Sequence, residues 1–117
     1  MRKESSTNFI NESNIHKKCS MALTISLLGG RWKPTILWQL KAQLLSYTEL
    51  KKKVTGATER MLVKQLQELE RDGLITKQQI TTKKMYALTA AGESLIPLLQ
   101  LMEKWGDTYK AKNACVE

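Results

Sequence analysis

The chain has 117 residues, with 19 Lys and Arg against 11 Asp and Glu, a formal net charge of +8, a pI of about 9.6 and 42% apolar residues. That length gives room for one domain with a modest core, and the basic excess favours a polyanionic partner, although a merely solvated basic surface would give the same count. The composition argues against a membrane protein, a secreted disulfide scaffold and a zinc domain. No run of about 18 apolar residues occurs, the start from Met1 to Ser6 lacks the apolar stretch of a signal peptide, and Cys19, Cys115 and His16 form neither a disulfide framework nor a ligand cluster. The expectation is a cytoplasmic protein with no membrane partner, no metal and no cofactor.

Residues 1–18 are polar and mixed in charge, with Phe9, Ile10 and Ile15 scattered among them, and read as a partly ordered N-terminal arm. Met21 to Leu28 is apolar with helical periodicity and stops at Gly29-Gly30. Arg31-Trp32-Lys33-Pro34 opens a second helix. With a cap near Arg31, Pro34 falls in the first turn, where its missing N–H costs nothing, and Ile36, Leu37, Trp38 and Leu40 point to the core. Gln43 to Tyr47 reads as extended, and Thr48 is placed to cap a brief helix ending near Val54. Thr55-Gly56-Ala57 is then a turn, and two short helices separated by such a turn are the sign of a helix-turn-helix.

The helix after that turn is the most strongly patterned. Leu62, Leu66 and Leu69 share one side at 3.6 residues per turn, while Arg60, Lys64, Gln67 and Arg71 lie almost opposite. Thr58 serves as N-cap and Gly73 as the stop. Between Lys51 and Lys84 nine basic residues stand against four acidic ones, so the basic excess is densest here. Leu74 to Gln79 and Lys84 to Leu88 then read as strands flanking Ile80-Thr81-Thr82-Lys83, a hairpin whose tip no Asn-Gly or Gly-Gly pair fixes. The predicted class is mainly α with a small β-hairpin wing, a winged helix-turn-helix spanning 19–110, followed by a frayed tail over 111–117.

Thr89 starts a last helical stretch containing Gly92 and Pro97, and the proline is expected to bend or restart it near Glu93 to Ile96. Beyond that point Leu98, Leu99, Leu101, Met102, Trp105 and Tyr109 cover more than half the circumference. One stripe suffices for a small monomer, so the surplus reads as a dimer surface; the alternative is that the whole arc packs on the protomer's own core.

The blocks Leu27-Leu28-Gly29-Gly30-Arg31-Trp32-Lys33, Tyr47-Thr48-Glu49-Leu50, Arg60-Met61-Leu62, Gln65 to Leu74 and Tyr86 to Gly92 occur in an order found in one group of bacterial regulators. Over roughly 19–106 the chain resembles the HxlR-type winged helix-turn-helix transcriptional regulators, relatives of the MarR group. The resemblance implies a homodimer held by the first and last helices, with Met21, Ile25, Leu98, Leu101, Met102, Trp105 and Tyr109 as interface candidates, and an operator bound by two winged heads. Members commonly carry a proline in the wing, whereas Ile80-Thr81-Thr82-Lys83-Lys84 has none and is a few residues short.

A helix in the major groove of double-stranded DNA reads base edges mainly from its N-terminal residues. Thr58, Glu59, Arg60, Lys64 and Gln67 are therefore the base-reading candidates, with Arg60 suited to guanine and Glu59 to the amino group of cytosine. Phosphate binding by Arg60 and a purely helix-dipole role for Glu59 are equally open. Ser46, Tyr47, Thr48, Lys51, Lys83 and Lys84 are the phosphate candidates; of Lys51, Lys52 and Lys53 at most two can face one duplex. Arg31 and Lys33 either touch backbone or are solvated. A dimer would present its reading helices about 34 Å apart and so favour an inverted repeat.

Some members of the resembling family sense oxidants or electrophiles through a cysteine where Cys19 stands. Lys17 and Lys18 would favour its thiolate by charge, and oxidation would join Cys19 to its symmetry mate or to Cys115. A packed cysteine without a signalling role is the alternative. Trp32, Trp38 and Trp105 are as consistent with core or interface as with a pocket, so no small-molecule effector is named. There is no phosphate loop, nucleophile elbow or partnered histidine, which argues against an enzyme. The rival from another class is a protein-interaction or scaffold module whose basic surface reads no sequence.

Overall fold

The computed structural model describes residues 19–113; the N-terminal arm expected over 1–18 and Cys115 lie outside them. By internal contacts the chain divides into two units, Met1–Gly30 and Arg31–Glu117.

In the first unit, helix α1 spans Ser20–Leu28. Cys19 occupies its N-cap position without a side-chain cap, and the Gly29 N–H donates to Ser26 O at the other end. The stop expected at Gly29-Gly30 is therefore where the helix ends. Met21 and Ile25, four residues apart, are both exposed.

The second unit carries α2 (Lys33–Gln39), β1 (Leu45–Ser46), α3 (Tyr47–Lys53), α4 (Glu59–Arg71), β2 (Ile75–Ile80), β3 (Lys83–Leu88), α5 (Ala90–Ser94) and α6 (Ile96–Lys112). Pro34 stands in the first turn of α2, two residues after the Trp32 cap. Ile36, Leu37 and Leu40 are buried as expected, but Trp38 is only half-buried. Its indole lies instead under the Lys41 ammonium, 4.1 Å from the ring centre.

Two expected local details change. The cap of α3 is Ser46 rather than Thr48: its side chain accepts from Glu49 N while the Glu49 carboxylate accepts from Ser46 N, a reciprocal box that the Ser-x-x-Glu spacing encodes. The extended stretch before it shortens to Leu45–Ser46, but these two residues pair with Tyr86 and Met85, so the expected hairpin is a three-stranded antiparallel sheet of order β1-β3-β2.

α4 runs between the predicted signals. Thr58 Oγ1 accepts from Met61 N at 3.1 Å. At the far end Leu74 N donates to Leu69 O and Gly73 N to Glu70 O, with Gly73 at φ 78, the glycine-bearing C-terminal motif that the left-handed conformation permits. Leu62, Gln65, Leu66 and Leu69 are its buried face. They join Ile36, Leu37, Leu50, Val54, Leu74, Ile75 and Leu99 in the core.

β2 keeps its expected length but starts and ends one residue later, and β3 begins one residue earlier, which leaves only Thr81-Thr82 as the tip, with Ile80 opposite Lys83. Only the base of β2 is buried and its outer half is exposed, so the hairpin projects as a wing. Thr89 anchors the next segment: its N–H donates to Leu74 O and its Oγ1 to Gly73 O, and it caps α5 by accepting from Gly92 N. The helix then restarts, Leu95 closing α5 and opening α6 with Pro97 in the first turn. The break falls where the proline was expected to put it. α6 continues to Lys112, past the point where the tail was expected to fray. Of its apolar arc, Leu99 is buried and Leu98 half-buried, while Leu101, Met102, Trp105 and Tyr109 are exposed.

Candidate nucleic-acid interface

The outward side of α4 carries Glu59, Arg60, Lys64 and Gln67, all exposed, around one shallow concavity with Val63. Four of the five base-reading candidates thus share one surface. Thr58 stands at its edge, and its hydroxyl oxygen is already engaged as the helix cap.

A second groove is lined by Ser46, Tyr47, Thr48, Glu49 and Lys52 from the start of α3 and by Lys83 and Lys84 from the wing. Five of the six phosphate candidates converge here. Lys51 is half-buried and does not line the groove; Lys52, the next residue, does. The Glu49 carboxyl inside it is held below its usual range, first by the Ser46 N–H it accepts and further by the charges of Lys83 and Lys52. Burial, then the charge of Glu59, pushes the Tyr47 phenol up, which keeps it a neutral donor and sets it electrostatically beside the start of α4. The head thus presents two surfaces: an exposed helix face and a basic groove rich in hydroxyl donors. That is the division of labour a DNA-binding head needs, with one side for base edges and one for phosphates.

The HxlR-like helix-turn-helix family model matches residues 27–114. The chain belongs to the HxlR-like helix-turn-helix family. Among relatives, a putative regulatory protein MalR of Fusobacterium mortiferum is 45% identical over 93 residues, covering 76% of this chain and 88% of that protein. A putative MarR-family transcriptional regulator of Porphyromonas gingivalis W83 superposes with a TM-score of 0.72 at 30% identity, covering 76% of this chain and 90% of that one. The redox regulator HypR in its oxidized form superposes with a TM-score of 0.71 at 30% identity, covering 77% and 96%. HxlR-like chains such as these are helix-turn-helix transcriptional regulators rather than enzymes, and the winged fold described above is theirs.

In this HxlR-like head a second basic residue, besides Lys51, departs from its expectation. Lys33 is not solvated and lines neither groove: it is buried, and its Nζ lies 2.8 Å from the Glu68 carboxylate on α4. The hydrogen bond from Lys33 holds the Glu68 carboxyl below its usual range. The pair joins the first turn of α2 to the third turn of α4. Arg31 stays exposed and stacks on Trp32, 5.0 Å from the ring centre. Trp32 in turn covers Gly56 in the turn before α4. Gln65, also missed by sequence reasoning, is buried on the core face of α4. Its only signal was its spacing of three from Leu62 and four from Leu69.

Cys19 is a free, half-buried thiol. Among the described residues no cluster of His, Cys, Asp and Glu could hold a metal ion, and no helix is long and apolar enough to cross a membrane.

Proposed function

We propose that the protein is a sequence-specific regulator that acts in the cytoplasm as a homodimer on an inverted-repeat operator. The observation that carries this reading is the convergence of the candidates on two surfaces: Glu59, Arg60, Lys64 and Gln67 on the open face of α4, and Ser46, Tyr47, Thr48, Lys52, Lys83 and Lys84 around the groove between α3 and the wing. α4 lies in the major groove with Thr58, Glu59, Arg60, Lys64 and Gln67 toward base edges, and the second set, with Lys51 at its margin, clamps phosphates. The dimer forms through Met21 and Ile25 of α1 and Leu98, Leu101, Met102, Trp105 and Tyr109 of α6, most of which are large apolar side chains exposed in the single chain. Family membership favours this over a scaffold that reads no sequence. Footprinting on duplexes enriched from a random pool, with sedimentation of the complex, tests it. Two protected half-sites about one helical turn apart and two chains per duplex are expected; a single half-site with one chain bound would refute the dimer.

A second reading concerns control. The likeness to the redox regulator HypR and the free thiol of Cys19 support an oxidant-sensitive switch. Two thiols would join as a disulfide, giving two protons and two electrons to an oxidant such as a diazene, between symmetry-related Cys19 residues or between Cys19 and Cys115. Diamide should then change DNA affinity of the wild type and leave Cys19→Ser unaffected. An equal response in both would end this reading.

A further inference from the structure

We propose that Val63 is a specificity-determining residue that reads the methyl group of a thymine, a role that rests on α4 being the base-reading helix. The core face of α4 is Leu62, Gln65, Leu66 and Leu69. On the rest of the helix two large apolar side chains are exposed, Met61 and Val63, each to 41%. They lie on different sides. Met61 is seven residues before Glu68 and shares its flank, whereas Val63 is three residues from Arg60 and four from both Glu59 and Gln67. It sits within the concavity that those residues and Lys64 line.

Val63 is not among the buried residues of the helix and is a poorer helix former than the polar residues around it, so neither core packing nor helix propensity selects it. The surface does. In the major groove each base pair offers hydrogen-bonding groups, and thymine alone among the four bases adds an apolar one, its C5 methyl. Arg60, Lys64, Glu59 and Gln67 can address the polar groups, but none of them ends in an apolar group. Val63 ends in two methyls, and β-branching restricts them to few rotamers, so little side-chain freedom is lost on contact. Three residues of helix advance about 4.5 Å, close to the roughly 3.4 Å rise of one base pair. The thymine is therefore expected within one base pair or so of the position that Arg60 senses.

The full-length wild type is used to enrich duplexes from a random pool, and each thymine of the enriched half-site is then replaced singly by deoxyuridine, which deletes only the C5 methyl. At one thymine per half-site the replacement should weaken wild-type binding about fourfold, the weight of one buried methyl. Val63→Ala should bind the thymine and uracil versions alike, and Val63→Thr, which exchanges one methyl for a hydroxyl in the same shape, should fall between. Circular dichroism checks that both variants fold, as substitutions at an exposed site should. If no deoxyuridine position matters to the wild type, or if Val63→Ala keeps the same uracil penalty, Val63 reads no methyl. If the pool yields no enriched sequence, the base-reading role of α4 fails and this proposal with it, and that result is distinct from an enriched site blind to uracil.

Discussion

The Lys33 ammonium lies 2.8 Å from the Glu68 carboxylate, with 6% of the lysine side chain exposed against 26% of the glutamate. The two partners are unequally desolvated, and that asymmetry decides what each mutation does. Glu68→Ala leaves a buried ammonium without its partner. Lys33→Met replaces the ammonium with an apolar chain of similar volume, and Glu68 can turn to water. Glu68→Ala should lower stability to urea about twice as much as Lys33→Met or more. Equal losses would mean that the pair is effectively solvated.

The same pair sets an acid dependence. Folding lowers the Glu68 carboxyl from its ordinary value of 4.5 through the Lys33 hydrogen bond, and that of Glu49 through the Ser46 N–H. Stability from a lowered carboxyl is fully present above the unfolded value and is lost as pH falls through the folded one. Melting temperature should therefore be flat above about pH 5 and drop below about pH 4.5. In Glu68→Gln the drop should be shallower, because the neutral amide has no proton to take up; an unchanged slope would remove Glu68 as a cause.

Much of this head is legible before any coordinates, and the exceptions share a cause. α4 is readable end to end because its signals are local: Thr58, a leucine period and Gly73 all act within one or two turns. The break before Ile96 is readable for the same reason, since Pro97 carries it alone. β1 is readable only as an extended piece within Gln43 to Tyr47; its place in the sheet is not, because that exists only through pairing with Tyr86 and Met85. Nor is the burial of Lys33, which depends on a carboxylate 35 positions along the chain, nor the substitution of Lys52 for Lys51 at the phosphate groove, which depends on where the wing lies. The Ser46 cap was present in the sequence as a Ser-x-x-Glu box and simply outranks Thr48.

Backbone conformation gives opposite predictions for two small residues. Ala42 is exposed and adopts φ 61, a left-handed conformation that its Cβ disfavours. Ala42→Gly should stabilise the chain by about 1 kcal/mol, the relief of that strain less the added freedom of the unfolded state. At Gly92 a Cβ would overlap the Leu74 carbonyl oxygen, backbone that cannot move aside without loosening the join between α4 and the wing. Gly92→Ala should be strongly destabilising, and thermal melts of the two variants check both signs.

The exposed stripe on α6 predicts the assembly state. Trp105 stacks on Tyr109 with ring centres 5.2 Å apart, and Leu101 is 63% exposed one turn earlier. Leu101→Glu should shift the protein from dimer to monomer in sedimentation and, by losing the second head, weaken operator binding by about 10² or more. A monodisperse dimer in that variant would move the interface away from α6.

Sequence-specific reading by the open face of α4 is tested most directly by fluorescence anisotropy of wild type and Arg60→Ala, on the enriched duplex and its shuffled counterpart, at several salt concentrations. The wild type should prefer the enriched duplex by about 10³ or more, with affinity falling steeply as salt rises. Arg60→Ala should lose about 1 to 3 kcal/mol on that duplex alone, whereas Lys84→Ala should weaken both equally. Equal wild-type affinity for the two duplexes, or an equal loss on both for Arg60→Ala, would contradict base reading by this helix.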